Sequence, residues 1–307
     1  MESLLSLAFD NLSSFDGSKI KKGLKQVEGL LAQICLSGPS NRRKQSTADA
    51  GAADREQPSR KVLADLSGDP AFREFFKLQE GFEWNIAQRL LTTLDWLVVR
   101  GGDGQYDLLI VNALDLIQGV LLLHPASKIL FSRSVHMNLL LDLLEPINCP
   151  AIQSATIITL VVALLDMPHN MRVFEQLDGL LTVTSLFKSR ETGREVKFRL
   201  TEFLYFYLTP ETPSNPVADA RLSSASSGGG APELLQRGPS KLAKVFGGGG
   251  GDANGGKRPG TSSGGEDGAM TLSVEDKKLF VDRYLPGVVD ELLKDLDTYK
   301  PFGGVLS

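Results

Sequence analysis

The sequence predicts an all-α protein, an armadillo- or HEAT-like α-solenoid that carries a long disordered insert. Three observations predict it. Apolar residues recur at helical spacing along most of the chain, the pattern repeats at an offset of 43 residues, and no run alternates apolar and polar residues as a half-buried strand does. The 307 residues, 42% apolar and 23% charged, suffice for a sizeable core.

The chain divides into three predicted parts. Residues 1–208 form the helical armadillo-like domain, with a flexible loop at 38–60. Residues 209–271 form a disordered insert rich in Gly, Ser and Pro. Fifteen of the 31 glycines and a single aromatic residue, Phe246, fall there, and such a segment buries too little apolar surface to offset the entropy of ordering it. Residues 272–300 form one or two C-terminal helices that pack back on the solenoid.

Each helix is predicted from the spacing of apolar residues and from the prolines and glycines that separate the segments. The first covers 18–36, where apolar residues from Ile20 to Ile34 share one face. The others, in chain order, are 70–79, 84–99, 105–123, 126–145, 151–166, 168–176, 178–189, 194–208 and 273–299, the last broken near Pro286.

An internal repeat relates three blocks of the chain. The corresponding residues are Leu114, Ile157 and Leu200; Ile117, Leu160 and Phe203; Leu121, Leu164 and Tyr207; Leu122, Leu165 and Leu208; and Pro125 and Pro168. Armadillo and HEAT units have this length. One unit cannot bury its apolar face alone, so we expect neighbouring units to stack with the corresponding apolar side chains buried.

No motif predicts catalysis, a cofactor or a metal site. Neither Cys35 nor Cys149 is followed by the arginine of a Cys-x5-Arg phosphatase loop, and Gly251–Arg258 departs from a phosphate-binding loop at its last position. His124 and His169 stand beside prolines at corners of the repeat, where we expect hydrogen bonding near helix starts or exposure. An unrecognised enzyme is one alternative, but no small-molecule substrate is expected.

Charge and hydropathy argue against nucleic-acid binding and against a membrane span. The net charge of -4 gives no general attraction to phosphate backbones. The uncharged stretch Pro146–Leu165 holds a helix of about fifteen residues, roughly 22 Å long at ~1.5 Å per residue, which is shorter than the ~30 Å hydrocarbon core. The N-terminus lacks the basic residues and the apolar run of a signal peptide.

A local excess of positive charge marks a candidate partner-binding surface near the third repeat. Its residues are Arg172, Lys188, Arg190, Arg194 and Lys197. Arginine is frequent at interface hot spots because its planar guanidinium pairs with carboxylates through two hydrogen bonds. The alternative is a set of solvated charges balanced by Glu191, Glu195 and Glu202.

Two further groups of polar residues are candidates for regulation or binding. The candidate phosphorylation sites, all in the predicted loop and insert, are Ser46, Thr209, Thr212 and Ser223. A second basic face, on the helix at 18–36, comprises Lys19, Lys21, Lys22 and Lys25. That face is either a solvated helix surface or a site for an acidic partner or a lipid surface.

Four segments carry a family resemblance: residues 23–32, 72–86, 167–180 and 195–207. They resemble the fungal cell division control protein of the septation initiation network, the kinase-binding family and not the phosphatase of the same name. The resemblance covers residues 1–208 and the C-terminal helix, and it leaves the low-complexity insert outside.

The resemblance implies a non-enzymatic subunit that binds a germinal-centre-class serine/threonine kinase. It also implies a cytoplasmic protein that acts at the spindle pole body to promote septum formation and cytokinesis. The alternative function is an armadillo-type adaptor for acidic peptides or cargo. Against it, Asn138 corresponds to Leu181 in the next unit, so no asparagine ladder is expected in a groove.

Overall fold

A computed structural model describes residues 1–36, 61, 66–101, 104–211 and 271–299. Within these ranges every element of regular secondary structure is helical, which confirms the predicted all-α class. The predicted flexible loop at 38–60 and residues 212–270 of the predicted insert lie outside the described residues.

The described residues form the following helices, in chain order. They are α1 (Glu2–Leu12), α2 (Gly17–Cys35), α3 (Pro70–Glu80), α4 (Ile86–Arg100), α5 (Asp107–Leu123), the 3-10 helix η1 (Pro125–Ser132), α6 (Ser134–Asp142), α7 (Pro150–Leu164), α8 (Pro168–Gln176), α9 (Gly179–Lys188), α10 (Arg194–Tyr207), α11 (Val274–Asp282) and α12 (Val289–Tyr299).

The long helices α2, α5, α7 and α10 form a row in which each packs against the next, and α4 also packs on α5. The residues that the repeat predicts to be equivalent lie inside this row. Leu114, Ile117, Leu160, Leu164, Leu200 and Phe203 are all buried. The predicted burial is therefore confirmed for these residues of all three blocks, whereas Leu122 and Leu165, which the repeat also matches, are 51% and 38% exposed.

The short helices form a second set beside the row. η1 contacts α6 and α8, and α8 contacts α9. Pro125 begins η1 and Pro168 begins α8, 43 residues later, because proline fits the first turn of a helix, where its missing N–H has no partner to lose. The two successive units thus share one order of a long helix followed by two short ones.

Two elements differ from the predicted helices. α1 was not among them, yet its apolar stripe is buried against α2. The predicted helix 126–145 is divided at Arg133, whose backbone is extended. Side chains of Asn170, Ser132 and His136 lie 2.7–2.8 Å from the carbonyl oxygens of residues 128, 129 and 130. A continuous α-helix needs those oxygens for its own backbone hydrogen bonds.

Buried amides connect one unit to the next. The Asn170 side chain is completely buried, and its Nδ2 donates to the carbonyls of Lys128 and Ala163, each at 2.8 Å. Gln118 donates to the carbonyl of Ala155 at 3.2 Å and to the hydroxyl of Thr159 at 3.0 Å. Because a buried polar group without a partner is costly, these bonds favour one register between the packed helices.

The C-terminal helices pack on the end of the row. α12 contacts α10 and α11, and the Tyr205 hydroxyl lies 3.1 Å from Asp295 Oδ2. Ser273 and Asp276 cap α11 through reciprocal side-chain and backbone hydrogen bonds. Val281 and Val289 are fully buried, so the two helices add to the same core as α10.

Among the described residues, no single helix has the length and apolarity needed to cross a membrane. The pair Asp107–Leu123 and Pro125–Ser132 meets those two criteria together, with a bend of 120° between its halves.

The two phenylalanines of α10 give a matched test of the packing. Phe203 is fully buried and meets the Phe174 ring edge-on at 5.6 Å, whereas Phe198 is 60% exposed. Phe203→Ala should lower the free energy of unfolding by about 3–5 kcal/mol, because it leaves a cavity in the core. Phe198→Ala should lower it by less than about 1 kcal/mol. Urea unfolding of both variants measures the difference, and equal losses would contradict the described packing.

Stability should also depend on the charge of His124. This ring is 2% exposed, its Nδ1 lies 2.8 Å from Ser127 Oγ, and burial lowers its pKa from 6.5 to about 4. Above pH 6.5 the ring is mostly neutral in both the folded and the unfolded protein. As the pH falls from 6.5 to 4, only the unfolded state gains the proton, so about 3 kcal/mol of stability is lost across this window.

Urea unfolding of the wild type and of His124→Gln at pH 7 and pH 4.5 checks this expectation. The variant lacks the titrating ring, so its stability should fall less between the two pH values. An equal fall in both proteins would assign the pH dependence to other groups.

Candidate protein-interaction surface

The connection between α9 and α10 carries a basic patch, here called the α9–α10 basic surface. It consists of Lys188, Arg190, Arg194 and Lys197. The first three side chains are exposed and Lys197 is half-buried. Two apolar side chains nearby in sequence are also in contact with water: Leu181 is 46% exposed and Phe198 is 60% exposed.

Buried residues of α10 and a hydrogen bond in the α9–α10 connection fix the position of this surface. Val196 and Leu200 of α10 are fully buried, which directs Arg194 and Phe198 away from the core. In the connection, the Thr192 hydroxyl donates to the carbonyl of Leu186 at 2.7 Å and so satisfies a carbonyl in the last turn of α9. The basic side chains therefore project from an anchored connection.

The four side chains of the α9–α10 basic surface form no ion pair with any described residue. Within the described part of the chain, no carboxylate oxygen lies within 4.0 Å of any of the four side chains. Arg194 also begins α10, where the positive end of the helix dipole disfavours a cation. The fold thus supplies no electrostatic reason for this cluster, which suits a surface that binds negative charge.

Arg172 does not join the α9–α10 basic surface, which corrects the prediction that all five residues share it. Its guanidinium lies 2.5 Å from Glu211 Oε1 and 3.1 Å from Glu175 Oε1, and its side chain is largely buried. Burial makes this pairing necessary because an isolated charge is costly in the interior. Arg172 belongs instead to an interior ionic cluster.

The interior ionic cluster comprises Arg172, Glu175, Tyr207, Glu211 and Lys277. The Lys277 side chain is 1% exposed, lies 3.2 Å from Glu211 Oε1 and donates to the carbonyl of Thr209 at 2.8 Å. The Tyr207 hydroxyl donates to Glu175 Oε1 at 2.6 Å. The cluster joins α8 and the end of α10 to α11.

Burial shifts the titration of the groups in this cluster. It lowers the pKa of Lys277, against which the Glu211 carboxylate acts in the opposite direction. It raises the pKa of Glu175, while the hydrogen bond from Tyr207 and the charge of Arg172 lower it. Because these charges are buried, removing one member of the cluster leaves another buried charge with fewer partners.

The interior ionic cluster includes Glu211, a residue at the start of the predicted insert 209–271. Glu211 is 6% exposed in its side chain, and its Oε2 accepts the backbone N–H of Leu272 at 3.1 Å. Residues 209–211 are thus packed against both α8 and the segment that begins α11. The sequence carries no local signal for this contact, since Glu211 and Lys277 are separated by the Gly- and Ser-rich stretch.

One of the four candidate phosphorylation sites lies among the described residues. The Thr209 side chain is half-buried, and its hydroxyl donates to the carbonyl of Phe206 at 2.6 Å. Ser46, Thr212 and Ser223 lie outside the described residues. All four sites stay predictions.

Comparison with known proteins gives two matches. The family described as "Cell division control protein 14, SIN component" matches residues 1–302. The "Cell division control protein 14" of Schizosaccharomyces pombe is 30% identical over 226 residues, which cover 71% of this chain and 82% of that protein. No solved structure matches this chain.

Two neighbouring lysines test the role of the interior ionic cluster. Lys277→Ala should lower the free energy of unfolding by about 3 kcal/mol or more, because it leaves the buried Glu211 with one cationic partner fewer. Lys278→Ala is the matched control, since Lys278 pairs with Asp290 in solvent at 2.5 Å, and it should change stability little. Thermal unfolding of both variants gives the comparison. Equal midpoints would contradict a stabilising contribution from Lys277.

Proposed function

Since the chain belongs to the cell division control protein 14 family of septation initiation network components, we propose that it is a non-catalytic scaffold for a germinal-centre-class serine/threonine kinase of that network. In this role it is a cytoplasmic protein that acts at the spindle pole body and promotes septum formation and cytokinesis. Fluorescent tagging of the full chain tests the location, and a signal that never reaches the spindle pole body contradicts it.

The observation that carries the proposal is the α9–α10 basic surface. It concentrates unneutralised positive charge on a chain whose net charge is -4, and it borders the exposed ring of Phe198. Interface hot spots commonly combine arginine with a large apolar side chain at their centre. We propose that the kinase docks here with an acidic segment that also contributes an apolar residue.

The arrangement of the helices supports a scaffold with an extended surface. We propose an armadillo- or HEAT-like solenoid, because α5, α7 and α10 pack in succession and carry equivalent buried residues 43 positions apart. A scaffold of this kind acts on a kinase in one of two ways. It either binds one kinase conformation more tightly than another, or raises the local concentration of kinase and substrate.

The environment of Cys35 supports a non-catalytic role for that thiol. Burial raises the pKa of the Cys35 thiol, opposed by the charge of Lys61. A nucleophilic cysteine needs the opposite shift, since the thiolate is the reactive form. Together with the missing Cys-x5-Arg spacing, this favours a binding protein over a phosphatase.

The same surface also favours a second candidate function, an armadillo-type adaptor for acidic peptides or cargo. The unneutralised charge of Arg190 and Arg194 would attract such ligands as well as a kinase. The two functions differ in what co-purifies with the chain, so one experiment separates them.

Charge reversal tests both the function and the docking surface. The triple variant Arg190→Glu, Arg194→Glu and Lys197→Glu should weaken binding to a purified germinal-centre-class kinase by about tenfold or more, because the new carboxylates repel an acidic segment. The control reverses Lys19, Lys21 and Lys22 on α2, which changes the net charge equally and should preserve binding. Circular dichroism confirms that both variants are folded, and biolayer interferometry measures the affinity.

Two results contradict parts of this proposal. Wild-type affinity in the triple variant, with loss in the control, moves the kinase site to the lysine face of α2. No kinase binding by the wild-type chain, with capture of acidic peptides instead, replaces the scaffold function by the adaptor function.

A further inference from the structure

The groove between α1 and α2 is an exposed surface that the kinase proposal does not use. It encloses a volume of about 150 Å³. Residues along it include Leu4, Leu5 and Ala8 of α1 and Lys25, Gly29 and Leu30 of α2. Its floor is buried in the core, whereas Leu4 at its border is 55% exposed and Leu7, one turn further along α1, is 49% exposed.

Two glycines inside α2 differ in what the fold requires of them. A Cβ at Gly23 would lie 2.9 Å from Leu12 Cγ and 3.0 Å from the Ala8 carbonyl oxygen, so the close packing of α1 requires that glycine. A Cβ at Gly29 would meet no atom of the described chain within 4 Å. Glycine is a poor residue for a helix interior, and the fold gives no reason for it at this position.

The charge beside the groove indicates the character of its occupant. Lys22 and Lys25 are exposed and lie on the same side of α2 as Gly29, seven and four residues before it. Among the described residues neither has a carboxylate oxygen within 4.0 Å. A negatively charged partner would neutralise both lysines.

We propose that the groove between α1 and α2 binds an acidic amphipathic helix of a partner protein. An apolar side chain of such a helix occupies the groove and covers Leu4 at its border. The backbone of that helix passes close to Gly29, and its carboxylates face Lys22 and Lys25. From Lys25 to Gln33 the groove follows α2 for about 12 Å, enough for two turns of a helix. If a second copy of this chain bound here through the same groove, its Lys22 and Lys25 would lie near those of the first copy and repel them. Contact with a flat bilayer does not require the absence of a side chain at position 29.

Synthetic peptides and the full chain provide the test. The probe is a helical peptide of about 16 residues with leucine at i, i+3/i+4 and i+7 and glutamate on both flanks. The comparison peptide has lysine in place of every glutamate. We expect the acidic peptide to bind the wild-type chain at least about tenfold more tightly in fluorescence anisotropy, with an affinity that falls as salt is raised.

Three variants locate the binding. Gly29→Gln should raise the thermal midpoint, because glutamine favours a helix and has open space there, yet lower the affinity for the acidic peptide about tenfold or more. Lys25→Glu should weaken binding. Lys19→Glu is the charge-matched control outside the groove and should leave the affinity unchanged.

Several results overturn the proposal. One is equal binding of the acidic and the basic peptide by the wild-type chain, or no binding of either. Another is a lower midpoint in Gly29→Gln, which would mean that the fold itself needs the glycine. A third is unchanged affinity in that variant. Binding to vesicles of anionic lipid that Gly29→Gln leaves intact, without binding of the acidic peptide, assigns the lysines to a membrane surface instead.

Discussion

The burial of α7 on nearly every side is the constraint on which the rest of the fold depends. Eleven of its fifteen residues are buried, and the helix has no polar face to present to water. A helix of this kind is stable in water only if neighbours enclose it. α5 lies along one side, α10 along another, and η1 and α8 contact it as well. The order of the row follows from this enclosure.

Enclosing α7 leaves its polar side chains in the interior, and local hydrogen bonds satisfy most of them. Thr156 and Thr159 donate to carbonyls four residues earlier in the same helix, at 2.8 and 2.9 Å. Gln153 donates to the carbonyl of Glu145 at 3.0 Å. The interior ionic cluster at the end of α10 satisfies buried charges in the same way, because Arg172 and Lys277 each pair with a carboxylate there. The polar contacts between helices, such as those of Asn170 and of the interior ionic cluster, therefore favour particular helix pairings, as a purely apolar core would not.

Two clusters of positive charge on the described surface have no carboxylate within 4.0 Å among the described residues, and they lie at opposite ends of the row of long helices. The α9–α10 basic surface lies beside α10, and the lysines of α2 lie beside the groove with α1. With both proposals, this chain connects a kinase and a second partner. Such a connection raises the effective concentration of each partner for the other. That arrangement suits a component of a septation network.

The sequence by itself determined the helical class, the 43-residue spacing and which side chains of α5, α7 and α10 are buried, because all three are encoded in local apolar periodicity. It also located Lys188, Arg190, Arg194 and Lys197, since charge clustering is visible in sequence. Only the tertiary structure decided that Arg172 is interior, that η1 interrupts a helix and that Gly29 faces open space. Those outcomes depend on contacts between residues far apart in the chain, such as Arg172 with Glu211 and Asn170 with Lys128, and no local pattern encodes them.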